Sequence, residues 1–469
     1  MQRRCNHNLH WFRLRIYAGS SPYSANPAPN DLSPAAIRLF GFVAQVPQEG
    51  NEHIYSGKPM RILILGINYW PEETGIGAFT TYRAEYLASL GHNVTVCTTF
   101  PYYPEWKVAA PYAGKLVASE TRNGVRILRS YAYVPDRVTS VKRVLHEASF
   151  ISTSLARALL QARPDLLLVV SPPLGLAVNA FVLGRLWRIP YVFDVEDLQP
   201  DAAAELGMLP KPVLNLMYKV ERFAYRHAAL VSTITTGMQN RIVEKGVPAA
   251  RTALFEPRSD NSLATIAPDE GLAFRNKYSL GRKFIVSHSG NMGVKQGLGV
   301  ILDVAALNRH DASTVFLIVG DGAVRNIIQE RAKELELNNV RFLPLLEAME
   351  FRGFLKASDI CLVTQQKSVS DMVFPSKTVT YLAAGCPVIA SVNSNSEVSR
   401  TIEDSRAGLV VEPENPEALL SAIRDIRAGD IASYGQNAKQ YATNRWSPER
   451  VLGYFEAKLV EIANVRHGP

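Results

Sequence analysis

Short, uninterrupted apolar runs, each followed by a loop and a helix-length segment, constrain the fold of this chain more than any other feature. Arg61–Ile67 reads RILILGI and Asp165–Ser171 reads DLLLVVS, and neither shows the alternation of a half-buried strand. Such runs are typical of parallel strands that helices cover on both faces. Because the pattern occurs in both halves of the chain, it predicts an α/β protein with two doubly wound domains that face each other across a cleft.

A stretch without a strong apolar period separates the two halves. We expect residues 59–256 to form the N-terminal domain, 257–274 the linker and 275–469 the C-terminal domain, whose last helices pack back on the first domain. Residues 1–58 are rich in Pro, Ser and Asn and predict a disordered extension. A chain of 469 residues also exceeds one ordinary domain.

Composition excludes several classes of protein. The four cysteines are scattered, lack the spacing of metal ligands and predict reduced thiols in a cytoplasmic protein. Pro172 and Pro173 interrupt the apolar stretch that ends near Trp187, so a strand, a turn and a helix are predicted there rather than a membrane span.

The net charge of +8 has its excess of Lys and Arg mainly between Arg61 and Asp260. This excess agrees with an anionic partner, either an acidic membrane surface or a phosphorylated substrate, and equally with solubility alone. No nucleic acid partner is expected. The prediction is a cytoplasmic protein, with peripheral contact to the cytoplasmic face of the inner membrane as a further hypothesis.

Val373–Ala390, VFPSKTVTYLAAGCPVIA, predicts a turn, a helix and a short buried strand. Ser376 is the expected N-cap, and Gly385 ends the helix. A helix N-terminus has unpaired N–H groups and a partial positive charge, which suit a phosphate. With Lys377 and Thr378 in the first turn, the stretch fits a phosphate site, and equally an ordinary capped helix.

Two glycine-bearing loops favour the phosphate site. Ser289–Gly297 reads SGNMGVKQG, whose glycines let backbone N–H groups approach an anion while a lysine supplies charge. The second loop is the turn GDG that begins at Gly320. Three such features at the carboxyl ends of strands in one domain predict a ligand with a diphosphate. The candidate residues are Gly290, Asn291, Lys295, Gly320, Asp321, Gly322, Ser376, Lys377 and Thr378.

The first half also carries a glycine-bearing loop, which contains Gly75 and Gly77. The glycine spacing is not G-x-G-x-x-G, and the following strand ends at Thr98 and Thr99 without a ribose-binding acid. A nicotinamide dinucleotide site is therefore not predicted.

Two carboxylates, Glu196 and Asp197, follow the predicted strand Tyr191–Val195. They lie at the edge where open α/β sheets bind ligands. Helix-capping acids in a solvated loop are the alternative interpretation.

Four motifs together resemble a known family: MRILILGINYWPEETGIGAF, GNMGVKQGL, VGDGAVR and FPSKTVTYLAAGCPVIAS. From Met60 to Val460 the chain resembles glycosyltransferases of retaining family 4, and within it bacterial exopolysaccharide enzymes of the colanic-acid type. The resemblance implies the GT-B fold, in which two Rossmann-like domains face each other, with the acceptor on the first and a nucleotide sugar on the second.

The resemblance also implies roles for the candidate residues. Lys295 is expected to neutralise the donor diphosphate, and the Ser376–Thr378 segment to hold its distal phosphate. Gly75 and Gly77 are expected to contact the sugar or phosphate. Glu196 or Asp197 would orient the acceptor hydroxyl or accept its proton as the catalytic residue.

The chain departs from the family pattern at two places. Asn291 stands near the usual arginine of the glycine loop. The family's Glu-x7-Glu pair is absent, because Met372 and Thr380 occupy its positions; Asp371 is a candidate substitute in donor binding.

The resemblance implies a transferase that moves a sugar from a nucleoside diphosphate sugar to a polyprenyl-diphosphate-linked saccharide, in exopolysaccharide, capsule or O-antigen assembly. Fixed cations and a helix dipole can stabilise the leaving diphosphate, so no essential metal or cofactor is expected. Two alternatives stay open: a nucleotide-sugar 2-epimerase, which shares this architecture, and a non-catalytic scaffold that binds nucleotide sugars.

Overall fold

Two separate β-sheets organise the part of the chain that the computed structural model describes, which is residues 58–72, 75–205, 209–369 and 374–464. The predicted extension, residues 1–58, lies outside these ranges except for its last residue, and Asp371 also lies outside them.

Fourteen strands form the two sheets. The first sheet consists of β1 (Arg61–Leu65), β2 (Asn93–Thr99), β3 (Val117–Arg122), β4 (Val125–Ser130), β5 (Leu166–Ser171), β6 (Tyr191–Val195), β7 (Leu230–Thr233) and β8 (Thr252–Leu254). The second consists of β9 (Phe284–Asn291), β10 (Thr314–Asp321), β11 (Val340–Leu343), β12 (Ile360–Thr364), β13 (Val388–Ser391) and β14 (Gly408–Val411).

Helices connect the strands and cover the sheets. They are α1 (Ile76–Ser89), α2 (Ser140–Leu159), α3 (Leu176–Trp187), α4 (Gln199–Glu205), α5 (Lys211–His227), α6 (Thr236–Glu244), α7 (Asn261–Ala264), α8 (Pro268–Lys277), α9 (Gly299–Leu307), α10 (Arg325–Glu334), α11 (Ala348–Ala357), α12 (Lys377–Ala384), α13 (Glu397–Ser405), α14 (Pro416–Ala428), α15 (Ile431–Trp446) and α16 (Pro448–Asn464). Within the described ranges, no helix combines the length and the apolar character that crossing a membrane requires.

Each sheet has one point at which its strand order reverses. The first sheet runs β3-β4-β2-β1-β5-β6-β7-β8, and the second runs β11-β10-β9-β12-β13-β14. All neighbouring strands are parallel except β3 and β4. The reversals lie between β1 and β5 and between β9 and β12, and doubly wound sheets bind ligands outside the strand ends at such points.

The burial of the strands explains why their sequences are uninterrupted apolar runs. Every residue of β5 and of β6 is buried, because helices cover both faces of the first sheet. The predicted α/β class with two doubly wound domains is confirmed. The bounds predicted for the strand Tyr191–Val195 agree with β6.

The segment predicted as the linker, residues 257–274, contains helical structure. Asp260 caps α7, and α8 begins inside the segment at Pro268. The Glu270 carboxylate accepts a hydrogen bond from the Ala267 backbone N–H at 3.0 Å, which stabilises the first turn of α8. Capping residues signal these helices, whereas an apolar period cannot develop in a helix as short as α7.

The last helix, α16, returns to the first sheet. Phe455 is fully buried in the core around β1, and its ring centroid lies 4.9 Å from that of Phe255. Where the chain crosses back, the Trp446 carbonyl accepts hydrogen bonds from the Ser259 backbone N–H at 2.7 Å and from its hydroxyl at 2.9 Å. The two crossing segments therefore lie side by side.

A buried ion network joins α1 to the end of β6. Arg83 donates to Asp194 Oδ2 at 2.8 Å, to Glu196 Oε1 at 2.7 Å and to the Phe255 carbonyl at 2.7 Å. The side chains of Arg83 and of both acids are almost entirely shielded from water. Burial alone would lower the pKa of Arg83, yet the two carboxylates raise it above its ordinary value, so the guanidinium remains charged.

Replacing Arg83 with methionine should lower the free energy of unfolding by about 3–5 kcal/mol, because the buried Asp194 carboxylate would lose its cation and the buried Glu196 carboxyl group would lose its hydrogen-bond donor. Urea denaturation measures this loss. Arg331→Met is the matched control, since Arg331 forms an exposed pair with Asp303 and its loss should cost about 1 kcal/mol or less. Equal losses in the two variants would contradict a structural role for the buried network.

Candidate functional site

The loop after β9 and the N-terminus of α12 meet at the reversal point of the second sheet. Gly290 has a φ of +108°, and a Cβ atom placed there would lie 3.6 Å from both Cε and Nζ of Lys377. The Lys377 side chain therefore extends over Gly290. Because Lys377 is the first residue of α12, unpaired N–H groups of that helix also lie nearby.

The turn after β10 supports this loop through close backbone contact. A Cβ atom at Gly320 would lie 2.0 Å from the Gly290 carbonyl oxygen, so only glycine fits there. The Met292 backbone N–H donates to the Asp321 carbonyl at 2.8 Å, and the Asp321 carboxylate accepts from the Gly322 backbone N–H at 2.8 Å. The predicted residues of the two loops are thus brought together.

Lys295 lies in a short 3₁₀ turn of the β9 loop and is partly exposed. The end of β12 fixes this turn, because the Gln366 backbone N–H donates to the Lys295 carbonyl at 2.9 Å and the Thr364 hydroxyl donates to the Gln296 carbonyl at 2.6 Å. The loops on both sides of the reversal point thereby hold the Lys295 backbone. Among the described residues, the Lys295 side chain forms no ion pair.

His288 is a site residue that the sequence reasoning missed. Its Nε2 atom lies 3.0 Å from Lys377 Nζ, and the ring is fully buried in β9. Burial lowers the pKa of the Lys377 ammonium to about 7. Burial, and then the charge of Lys377, lowers the pKa of His288 well below its ordinary value, while the Leu362 backbone opposes that shift. The imidazole is therefore neutral beside the amine.

A spacing in the sequence could have indicated this contact. Lys377 and Tyr381 are four residues apart, so they share one face of α12. They contact two consecutive residues of β9, because the Tyr381 hydroxyl lies 2.8 Å from the Ser289 backbone nitrogen and 2.9 Å from its hydroxyl oxygen. The pairing of α12 with β9 could not be deduced without the strand order.

The other predicted residues of the α12 turn differ in exposure. Ser376 occupies the N-cap position and is exposed, but its side chain forms no capping hydrogen bond. Thr378 is fully buried, and among the described residues its hydroxyl has no hydrogen-bond partner. Asp371 lies outside the described residues, so its predicted contribution to donor binding stays a prediction.

On the first domain, the two predicted glycines have different surroundings. Gly75 is exposed at the N-terminus of α1, and a Cβ atom there would meet nothing within 4 Å. Gly77 is buried, and its Cβ would lie 2.9 Å from the Glu72 carbonyl oxygen. The geometry leaves Gly75 accessible to a ligand and makes Gly77 a packing residue of the loop.

Glu72 is a second residue that the sequence reasoning missed. Its buried carboxylate accepts hydrogen bonds from the backbone N–H groups of Tyr102 and Tyr103, both at 2.9 Å, and from Asn68 Nδ2 at 2.7 Å. It joins the loop after β1 to the loop after β2. Burial raises the pKa of Glu72, whereas these hydrogen bonds oppose the rise.

Glu196 and Asp197 are adjacent but occupy different environments. Glu196 is buried against Arg83. Burial, and then the neighbouring Asp194 carboxylate, raises the pKa of Glu196 to about 8, while Arg83 opposes the rise. It therefore holds a proton near neutral pH and is not a ready base.

Asp197 is exposed to solvent and lies between positive charges of both domains. Partial desolvation by the surrounding protein raises the pKa of Asp197. The positive charges of Arg143 on α2 and of Lys295 in the second domain oppose this rise. The charge of Lys295 therefore acts on Asp197 although the two residues belong to different domains.

Two family models match the chain. The model described as glycosyl transferase 4-like domain matches residues 74–257, and the model described as glycosyl transferases group 1 matches residues 283–428. Together they cover every strand of the two sheets except β1.

Individual relatives match almost their whole length. The putative colanic acid biosynthesis glycosyl transferase WcaI of Escherichia coli (strain K12) is 34% identical over 405 residues, which cover 84% of this chain and 98% of that protein. The GDP-mannose-dependent alpha-(1-6)-phosphatidylinositol monomannoside mannosyltransferase of Mycolicibacterium smegmatis is 23% identical over 421 residues, with 86% and 98% covered. Among solved structures, Anabaena Alr3699/HepE in complex with UDP has a TM-score of 0.65 at 18% identity, with 86% of this chain and 100% of that chain covered.

The two Rossmann-like domains have the GT-B fold, and the family models identify the chain as a glycosyltransferase. Within that class, the chain belongs to glycosyltransferase family 4, and it is similar to enzymes of colanic acid biosynthesis. The family, the fold and the enzyme class predicted from the sequence motifs are confirmed. The roles of individual site residues stay predictions.

The raised pKa of Glu196 predicts a particular pH dependence of stability. The folded protein holds this proton up to about pH 8, whereas the ordinary carboxyl value is 4.5. Relative to Glu196→Gln, the free energy of unfolding of the wild type should therefore fall as pH rises from about 5 to about 8 and then level off. Urea titrations of both proteins across this range measure the difference. A wild type that gains relative stability with rising pH would contradict the raised pKa.

Proposed function

We propose that this glycosyltransferase moves a sugar from a nucleoside diphosphate sugar to a lipid-linked saccharide in exopolysaccharide, capsule or O-antigen assembly, with retention of the anomeric configuration. The observation that carries the proposal is the convergence of two lysine-bearing segments, the β9 loop and the N-terminus of α12, at Gly290. The likeness to WcaI and to a structure that contains UDP supports the same donor class.

The leaving group in such a transfer is a nucleoside diphosphate, whose negative charge grows as the glycosidic bond breaks. The Lys377 side chain lies over Gly290, and the end of β12 fixes the backbone of Lys295 in the loop after β9. The N-terminus of α12 adds a partial positive charge. Cations fixed before the reaction stabilise developing charge without reorganisation. We propose that they do so without an essential metal ion.

Asp197 is the better candidate of the two predicted catalytic carboxylates. It is exposed and the charge of Lys295 acts on it, whereas Glu196 is buried and bound to Arg83. We propose that Asp197 orients the acceptor hydroxyl beside the donor and that Glu196 holds the end of β6 in place.

A basic apolar face on the first domain supports a lipid-linked acceptor. We define this face as the outer sides of α2, α3 and α5, which are adjacent because Asn179 of α3 donates to the Ile151 carbonyl of α2 and Phe181 packs against Phe223 of α5. Its exposed apolar side chains are Val141, Val144, Leu145, Val178, Val182, Leu186, Val213 and Leu216.

The charge of this face suits an anionic membrane. The basic residues of the three helices are Lys142, Arg143, Arg157, Arg185, Lys211, Lys219, Arg222 and Arg226, against Glu147 and Glu221, which are both paired with cations. Apolar and basic side chains on one surface favour binding in the lipid headgroup region. Arg143 also acts on Asp197, so the face borders the proposed acceptor side of the cleft.

The central experiment incubates the purified protein with UDP-, GDP-, ADP- and dTDP-sugars, with and without polyprenyl-linked saccharides extracted from membranes, in the presence of EDTA. Release of nucleoside diphosphate that requires the acceptor supports the proposal. Interconversion of donor epimers without acceptor would identify an epimerase, and binding without turnover would identify a scaffold. Loss of activity with EDTA would overturn the metal-independent mechanism alone.

Replacing Lys295 with alanine should lower kcat by about 10²–10³-fold, because one fixed cation of the leaving-group site is lost. Initial rates of acceptor-dependent diphosphate release measure the effect. The matched control is Lys333→Ala, because Lys333 is exposed on α10 and pairs only with its neighbour Glu330. Near-normal turnover of Lys295→Ala would exclude Lys295 from the donor site.

Replacing Lys219, Arg222 and Arg226 together with glutamine should weaken binding to vesicles that contain phosphatidylglycerol by about 100-fold, since each basic residue near an anionic surface contributes about 1 kcal/mol. Sedimentation with vesicles measures the bound fraction. Glutamine at Arg331 and Lys333 on α10 serves as the control. Equal binding to phosphatidylglycerol and to neutral phosphatidylcholine vesicles would contradict the basic apolar face as a membrane contact.

A further inference from the structure

His288 and Lys377 form a contact that packing alone does not explain. His288 lies in the middle of β9, opposite Ile318 of β10, and its ring is completely shielded from water. A buried imidazole costs free energy unless its nitrogens are hydrogen-bonded. Nε2 lies 3.0 Å from Lys377 Nζ, whereas Nδ1 has no well-formed hydrogen bond among the described residues. An apolar side chain would fill the same space without this cost.

The position of the Lys377 amine also depends on its contact with His288. A lysine side chain has many rotamers, and fixing it costs conformational entropy. At the 3.0 Å separation, the Lys377 amine can donate to the lone pair of a neutral imidazole, and the amine then lies over Gly290. A Cβ atom at position 290 would meet Cε and Nζ of Lys377 at 3.6 Å and, among the described residues, no other heavy atom outside its chain neighbours within 4 Å.

We propose that His288 is a positioning residue of the donor site: its neutral imidazole holds the Lys377 amine over Gly290, where the amine binds the terminal phosphate of the nucleoside diphosphate. This inference rests on the proposed function of the site and deepens it. His288 would act through Lys377 and not on the ligand itself, because its ring is completely buried.

The protonation states of His288 and Lys377 have a measurable consequence for ligand binding. Burial lowers the pKa of Lys377 to about 7, and His288 is neutral beside it. Within the described residues no carboxylate acts on either group. The titratable neighbours are Tyr381 on α12 and Cys361 on β12, and burial raises the pKa of Tyr381. Lys295 and Asp321 lie at the same edge of the sheet. An arriving phosphate favours the ammonium form, so the amine takes up a proton from solvent when a diphosphate binds.

The test compares binding of UDP, GDP, ADP and dTDP with binding of the corresponding nucleosides by calorimetry, in buffers of different ionisation enthalpy at about pH 8. The variants are His288→Gln, which keeps an acceptor near the Nε2 position, His288→Leu, which removes it, and Lys377→Met. Tyr381→Phe is the matched control, because it breaks the neighbouring α12–β9 hydrogen bond and leaves His288 and Lys377 in place.

For the wild type we expect proton uptake that accompanies diphosphate binding and is absent with the nucleoside. His288→Leu should weaken diphosphate binding by about 10–100-fold, abolish the proton uptake and leave nucleoside binding unchanged, as the loss of one charge-assisted contact implies. His288→Gln should restore most of the diphosphate affinity. Tyr381→Phe should lower the melting temperature while keeping the preference for diphosphate.

Three outcomes would overturn the inference. One is an unchanged diphosphate affinity in His288→Leu while Lys377→Met loses it, because Lys377 would then act without His288. A second is an equal loss of nucleoside and diphosphate binding in His288→Leu, which indicates a purely structural role. The third is a wild type that binds none of the four diphosphates, which would overturn the proposed donor site and the inference together.

Discussion

One guanidinium group, that of Arg83, holds together the parts of the first domain that face the cleft. It comes from α1, whose N-terminus carries the Gly75 loop, and it binds Asp194 and Glu196 at the end of β6. It also binds the carbonyl of Phe255, where the chain leaves the first sheet. A charge this deeply buried is stable only with its partners in place, so the glycine loop, the acidic strand end and the exit of the chain have fixed relative positions.

In the second domain, close packing of main-chain segments fixes the positions of the loops at the candidate site. Its two glycine turns pack backbone against backbone, since Gly320 leaves only enough room for the Gly290 carbonyl. The Lys377 side chain extends over Gly290, and its amine contacts the buried His288 ring. The first domain is thus organised by a buried charge network, and the second by close approach of the main chain with the Lys377 amine over it.

The sequence alone was sufficient for the architecture, and the glycine loops that it predicts as a site are adjacent in the structure. Uninterrupted apolar runs identify strands covered on both faces, and loops at their carboxyl ends identify the ligand-binding edge. The contacts between distant residues were not predictable, because Arg83 and Asp194, or His288 and Lys377, meet only once the strand order is known. The short helix α7 was missed because a helix of four residues has no apolar period. Burial, which separates Glu196 from Asp197, is likewise a property of the folded chain.

The return of α16 to the first sheet has a mechanical consequence. The chain passes between the domains twice, and the passages are joined where Ser259 bonds to the Trp446 carbonyl and where Phe255 packs on Phe455. Because the two passages are joined by these contacts, separating the domains at this seam would require breaking both of them. The domains are therefore tied together by more than a single linking segment.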